Sequence, residues 1–151
     1  MRIQNVRLQM VRQNVGEYNV QEFKINSPKS VAHVINTVFD TLERDTQENF
    51  GILLLDNKHK IIGAELITRG TSTNTLVSPL DIFQRALLIG ANALVVFHNH
   101  PSGDTTPSSE DLGLTDRIKK GCELLGLRLL DHVIIGDGEY TSFMDKGYMT
   151  N

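Results

Sequence analysis

Two imidazoles and a carboxylate in this chain are spaced to share one ion. His98 and His100 stand two apart in His98-Asn99-His100-Pro101, and Asp111 follows eleven residues after the second ring. In an extended segment, side chains at i and i+2 leave the backbone on the same face, so both rings reach one centre. Asp111 supplies a third bond from a neighbouring element. Three protein ligands drawn from nitrogen and oxygen donors leave a tetrahedral zinc with an open position for water, the pattern of catalytic rather than structural zinc. Imidazole-rich ligation also favours zinc over a harder divalent cation. Water on such an ion becomes a nucleophile near neutral pH, because the metal lowers its pKa to about 7. These residues point to a metal hydrolase.

Such a reaction needs a group that takes a proton and returns it to the leaving group. Glu65 is the candidate. It lies between Ala64 and Leu66, in a stretch that includes Ile61, Ile62 and Ile67. A carboxylate there is either a half-buried base with a raised pKa or a solvent-facing strand residue. Glu48, Glu110 and Glu123 have no better apolar setting.

On local grounds Ser108-Ser109-Glu110-Asp111 is helix-start chemistry, with Ser108 as N-cap and Asp111 favoured in the first turn by the helix dipole. Coupled to the histidine pair, a carboxylate held at a helix start is also placed to complete a coordination sphere. Asp104 competes as the third ligand, being closer in sequence, but a helix terminus fixes Asp111 better than a turn fixes Asp104. The alternative for the pair itself is two core histidines satisfied by backbone hydrogen bonds. Two rings on one face before a Pro-Ser-Gly turn favour the metal. His132, beside Asp131, is either a hydrogen-bonded core residue, the preferred reading, or a support for a ligand. His33 is expected on the exposed side of a helix, His59 in a solvated turn, and Cys122 in the core.

The elements that position these residues are legible in outline. Ile3 to Val11 and Val15 to Ile25 are strand candidates. Ser27-Pro28 opens a helix whose buried stripe is Val31, Val34, Ile35, Val38, Phe39 and Leu42. Phe50 to Leu55 is a buried strand, and Lys60 to Thr68 returns as its hairpin partner across Asp56-Asn57-Lys58-His59. If Phe50 to Leu55 lay at a sheet edge, it would offer a route to a homo-oligomer. Gly70 to Asn74 is a loop. Ser78-Pro79 begins a second helix with Asp81 completing a capping-box-like start, and Gly90 ends it. Ala93 to Phe97 is a short buried strand that delivers His98. A third helix begins near Ser108, with Leu114, Ile118, Cys122 and Leu125 as its apolar stripe, and Gly126 stops it. Leu127 to Ile135 and Tyr140 to Phe143 are the last strands. Helices alternate with strands, yet one hairpin is antiparallel, so the expected class is α/β with a mixed, α+β-like sheet flanked by helices.

With 151 residues, 40% hydrophobic, and no repeat or linker, the chain fits one domain spanning 1–151. A net charge of −3 argues against a strongly electrostatic nucleic-acid binder. The single cysteine excludes an intrachain disulfide and a Cys-rich zinc finger. No apolar run approaches a membrane span, and the expected location is the cytoplasm. A zinc deaminase needs a Pro-Cys-x-x-Cys ligand pair, and a serine hydrolase of the Gly-x-Ser-x-Gly kind needs its elbow. The chain has neither.

Glu65, His98-Asn99-His100-Pro101-Ser102-Gly103, Pro107-Ser108 and Asp111 together resemble the JAMM metalloprotease motif of the JAB/MPN superfamily, most closely its RadC-like JAB domains. Leu130-Asp131-His132-Val133-Ile134-Ile135-Gly136 and Tyr140-Thr141-Ser142-Phe143 extend the likeness, which covers the chain from about Ser27 onward. The resemblance implies a mixed sheet flanked by helices, similar to the cytidine-deaminase architecture. It also implies one zinc on His98, His100 and Asp111, Glu65 as acid/base, and Ser108 stabilising an oxyanion or positioning water. The expected substrate is a peptide, isopeptide or other amide. The family's repair label implies a second possibility, a non-catalytic zinc-stabilised module for DNA or for repair and replication proteins. Two departures stand out: nothing is long enough to supply the helix-hairpin-helix region common in RadC-like proteins, and Pro79-Leu80-Asp81 stands where Pro-Arg-Glu is common.

Overall fold

The computed structural model describes residues 24–70 and 77–149. The strand expected over Ile3–Val11 and residues 71–74 of the expected loop lie outside the described residues. Of the strand expected over Val15–Ile25, only the end is described: Lys24 bridges to Lys60, and Ile25 is buried.

Helix α1 (Pro28–Val38) starts at Ser27, whose hydroxyl accepts from Ser30 N at 3.2 Å while Ser30 Oγ accepts from Ser27 N at 3.1 Å. It buries Val31, Ala32, Val34 and Ile35. A short 3-10 turn (Leu42–Arg44) leads into β1 (Glu48–Leu55). The Asp56 carboxylate accepts from Lys58 N and Lys60 N and so shapes the turn into β2 (Ile61–Gly70). In α2 (Pro79–Ile89) the expected capping box does not form, because Ser78 makes no side-chain cap bond. Pro79 presets the first turn instead, and the left-handed Gly90 (φ 72°) closes the helix. β3 (Ala93–Asn99), α3 (Ser109–Leu125), β4 (Arg128–Gly136) and β5 (Glu139–Ser142) complete the order.

The strands form one sheet in the order β2-β1-β3-β4-β5, in which only β3 and β4 run parallel. The mixed class is therefore correct. β1 pairs on both sides, with β2 and β3, so the expected dimerising edge at Phe50–Leu55 does not exist.

The strand period of two sorts the core into layers. Ile52, Leu54, Leu94, Val96 and Ile134 pack with Ile82 and Ala86 of α2 and Ile118 and Cys122 of α3. Leu53, Leu55, Val95, Phe97, Val133 and Ile135 pack on the other face against Val31, Val34 and Ile35 of α1. The inner face of α3 also differs from expectation: Asp111, Thr115, Ile118 and Cys122 are buried, whereas Leu125 is exposed. The Asp111 carboxylate faces His98 of β3, and Thr115 Oγ1 pairs with His132 Nδ1 of β4 at 2.6 Å, so this polar face of the helix lies on the sheet.

Candidate metal centre

Sheet direction decides which residues meet. β1 is antiparallel to β3, with Phe50 opposite His98, so the start of β1 lies beside the end of β3. Glu48 precedes Phe50 by two residues and shares its face, the face that carries His98 and α3. Four side chains converge there. Nε2 of His98 lies 3.0 Å from Nε2 of His100 and 3.2 Å from Asp111 Oδ1. Nε2 of His100 lies 3.3 Å from Asp111 Oδ2, and Glu48 Oε1 is 3.8 Å from His98 Nε2. One ligand atom from each of the four lies within 4.8 Å of all the others.

Each member is held from behind. His100 donates its backbone N–H to Ile135 O at 2.9 Å and its ring Nδ1–H to Asp104 O at 2.6 Å. Asp111 is the third residue of a reciprocal cap: Ser108 N donates to Asp111 Oδ2 at 2.8 Å, and Asp111 N donates to Ser108 Oγ at 3.1 Å. Burial works to raise the Asp111 carboxyl, but the facing His100 and His98 rings and the Ser108 backbone N–H outweigh it and hold the group far below the usual carboxylate range. The Asp111 carboxylate beside it lifts the His100 ring above the ordinary imidazole value. Glu48 is bracketed by a buried amide: Asn99 Oδ1 accepts from Asn49 N at 2.7 Å, and Asn99 Nδ2 donates to Gln47 O at 2.9 Å.

The donor set fits a divalent cation. A carbonyl only accepts, so the proton of a neutral His100 ring sits on Nδ1 and its Nε2 faces the cluster as a lone pair. Ionised Asp111 and Glu48 are acceptors only, and together they bring two negative charges to the group. Acceptors this close need positive charge among them, and two imidazoles with carboxylates match zinc in ligand type.

Glu65, expected in this group, is not in it. It lies on β2 opposite Ile52, level with Val96, hence two strands and about 10 Å across the sheet from β3. Half of its side chain is exposed, and it accepts from Arg85 Nε of α2 at 2.8 Å. The carboxylate beside the histidines is that of Glu48, which the apolar-neighbour criterion passed over. The findable signal was parity: two residues before Phe50, a carboxylate continues the Phe50–Ile52–Leu54 face to the mouth of the strand. Asp104 contributes only its backbone carbonyl, and its exposed carboxylate accepts from Thr106 N. Ser108 caps α3. His33 is exposed, and Cys122 is a buried core thiol. His59 is half-buried, with its Nε2 3.2 Å from the Arg128 guanidinium. His132 is fully buried directly behind His98.

A three-layer mixed sheet with an imidazole and carboxylate cluster at the end of its central strand defines the class of protein. The family model of the RadC-like JAB domain matches residues 25–148, and the chain belongs to that family. A UPF0758 protein of Staphylococcus haemolyticus is 43% identical over 128 residues, covering 85% of this chain and 55% of that protein. A UPF0758 protein of Acaryochloris marina is 50% identical over 106 residues, covering 70% and 44%. One from Pseudomonas syringae pv. tomato is 39% identical over 142 residues, covering 94% and 62%. The chain thus spans roughly half the length of the curated relatives it matches. Among the described residues, no helix is long and apolar enough to cross a membrane.

Proposed function

We propose that this domain is a zinc-dependent hydrolase of amide bonds, of the peptidase or isopeptidase type. The observation that carries the reading is the convergence of Glu48 with His98, His100 and Asp111 at the end of β3. His98, His100 and Asp111 would hold the cation. When bound, it supplies Lewis acidity and lowers the pKa of water towards neutrality.

Glu48 stands slightly back from the other three, at 3.8 Å from His98 Nε2, and is partly exposed. That position suits a base rather than a ligand. It takes a proton from the attacking water as the C–O bond forms and delivers it to the amide nitrogen as the C–N bond breaks. Ser108 Oγ already accepts from Asp111 N, so its hydroxyl proton points elsewhere and is available to the developing oxyanion.

The test combines elemental analysis with a screen of labelled peptide and isopeptide substrates on three variants. Glu48→Gln retains metal and loses about 10²–10⁴-fold in turnover, the usual contribution of a positioned acid/base. His98→Ala loses both metal and turnover. Glu65→Gln leaves both unchanged, since its carboxylate belongs to Arg85. Undiminished hydrolysis by Glu48→Gln would refute the assignment.

A further inference from the structure

We infer that His132 is the positioning residue of the metal centre: it fixes the proton of His98 on Nδ1 and so turns Nε2 towards the cation as a lone pair. The inference rests on His98 being a ligand, as proposed above.

The direction of each hydrogen bond follows from the one before. Thr115 Oγ1 lies 2.7 Å from the Asp111 carbonyl oxygen, which only accepts, so the single hydroxyl proton is committed there. The same oxygen lies 2.6 Å from His132 Nδ1. With its proton used, Thr115 accepts, and Nδ1 of His132 must be the donor. His132 is fully buried. The Phe143 ring stacks on it with centroids 4.3 Å apart, and Phe50 lies edge-on at 5.8 Å. A ring enclosed in this way, whose two nitrogens face Thr115 and His98 rather than a carboxylate, is neutral. Its second nitrogen, Nε2, is therefore a lone pair. That nitrogen lies 2.8 Å from Nδ1 of His98, and the contact is a hydrogen bond only if His98 donates. A neutral His98 then has no proton on Nε2, the atom 3.2 Å from Asp111 Oδ1.

The relay starts and ends on Asp111, at its backbone carbonyl and at its carboxylate. It binds two ligands of the centre into one closed ring of contacts through Thr115 and His132. A neutral histidine in water favours the opposite tautomer, with the proton on Nε2, so the protein must impose this one. Partners that orient a ligand through its far nitrogen typically matter by roughly 10–100-fold in metal affinity.

The first measurement needs no metal. Long-range ¹H–¹⁵N spectra of the metal-free protein, taken at a pH where the imidazoles are neutral, report the tautomer of each ring. The expected result is Nδ1–H for both His98 and His132. A proton on Nε2 of neutral His98 overturns the inference, whatever the protein does with zinc.

The second measurement is zinc affinity by competition with a chelating indicator. His132→Gln places an amide oxygen near the former Nε2 and retains most of the affinity. His132→Asn is too short to reach His98 and loses about 10–100-fold. Equal losses in two folded variants would mean that His132 only fills space, and would overturn the inference. If His132→Asn does not fold, Thr115→Val removes the same anchor and gives the loss, and Thr115→Ser restores it. Wild-type protein that binds no zinc would sink the proposed function, whereas the tautomer spectra would still decide the relay.

Discussion

Replacing Asn99 by alanine tests whether the segment between His98 and His100 also builds the wall that carries Glu48. Asn99 and Asn49 are both buried. The Asn99 amide accepts from Asn49 N and donates to Gln47 O, one bond on either side of Glu48. Alanine removes both. Asn49 N–H is then a buried donor with no acceptor, a loss of about 1–3 kcal/mol. Gln47 O is not stranded, because Asn49 Nδ2 also donates to it at 2.9 Å, so that loss is nearer about 1 kcal/mol. The sum is roughly 2–4 kcal/mol, or about 5–15 °C in Tm for a domain of this size.

With no tryptophan in the chain, backbone circular dichroism in urea is the assay. The midpoint falls and the slope stays constant, because the surface exposed on unfolding is unchanged. Asn99→Asp sharpens the test. Its carboxylate still accepts from Asn49 N, but it sets a second acceptor against Gln47 O. In the folded protein that carboxyl is raised above its unfolded value. The deficit against wild type is then greatest at neutral pH and shrinks as pH falls through the folded value, where protonation restores a donor. An Asn99→Ala unfolding free energy within about 0.5 kcal/mol of wild type, the range of an ordinary surface change, would refute the clamp.

Three further outcomes follow from the same geometry. A Cβ at Gly136 would meet the backbone of Gly103, its carbonyl oxygen at 2.9 Å and its Cα at 3.0 Å, in the turn whose Asp104 carbonyl orients His100. Gly136→Ala therefore weakens both zinc affinity and stability, by about 1–3 kcal/mol in the latter, whereas Gly51→Ala, which collides with the buried Phe97 ring, lowers stability alone. Zinc at a hundred times its Kd raises unfolding free energy by about 2.7 kcal/mol in denaturant titrations, a chelator reverses the gain, and His98→Ala shows none. Burial pushes the Cys122 thiol up to about 12. Its thiolate fraction at pH 8 is then about 10⁻⁴, so a disulfide reagent labels it only after unfolding and labelling of native protein accelerates as pH rises.

What was legible in the sequence was what local patterning encodes. The His98-Asn99-His100 spacing, the cap at Ser108–Asp111 and the stripe of α1 each lie within a few residues. The structure keeps them, except that α1 ends at Val38 and Leu42 is buried from the 3-10 turn beyond it. Glu48 and Glu65 were misjudged because their neighbours are set by strand pairing, which is non-local. The isoleucines around Glu65 report a strand and say nothing of how far that strand lies from β3. The pairing of Phe50 with His98 fixes the outcome, and no feature of the Glu48 neighbourhood alone announces it. The stripe of α3 holds at Leu114, Ile118 and Cys122 and departs only at its ends, where Asp111 and Thr115 join the inner face and Leu125 is exposed.

The cap and the ligand reading of Asp111 look like rivals in the sequence, yet in the structure the capping carboxylate also faces His98 and His100. A carboxylate that only capped the helix would be free to turn Oδ1 to solvent. A carboxylate that only ligated would lose side-chain entropy each time an ion arrived. Here Ser108 N occupies part of Oδ2 and fixes the rotamer, while the helix N-terminus favours the ionised form. Both oxygens then stay aimed at the two Nε2 atoms. Helix α3 and the candidate cation site therefore share one side chain. Ser108→Ala removes the hydroxyl that accepts from Asp111 N but keeps the Ser108 N–H on Oδ2, so it should weaken the cap by on the order of 1 kcal/mol and leave zinc affinity nearly unchanged. An equal loss of zinc affinity would show that the hydroxyl, not the backbone N–H, fixes the rotamer.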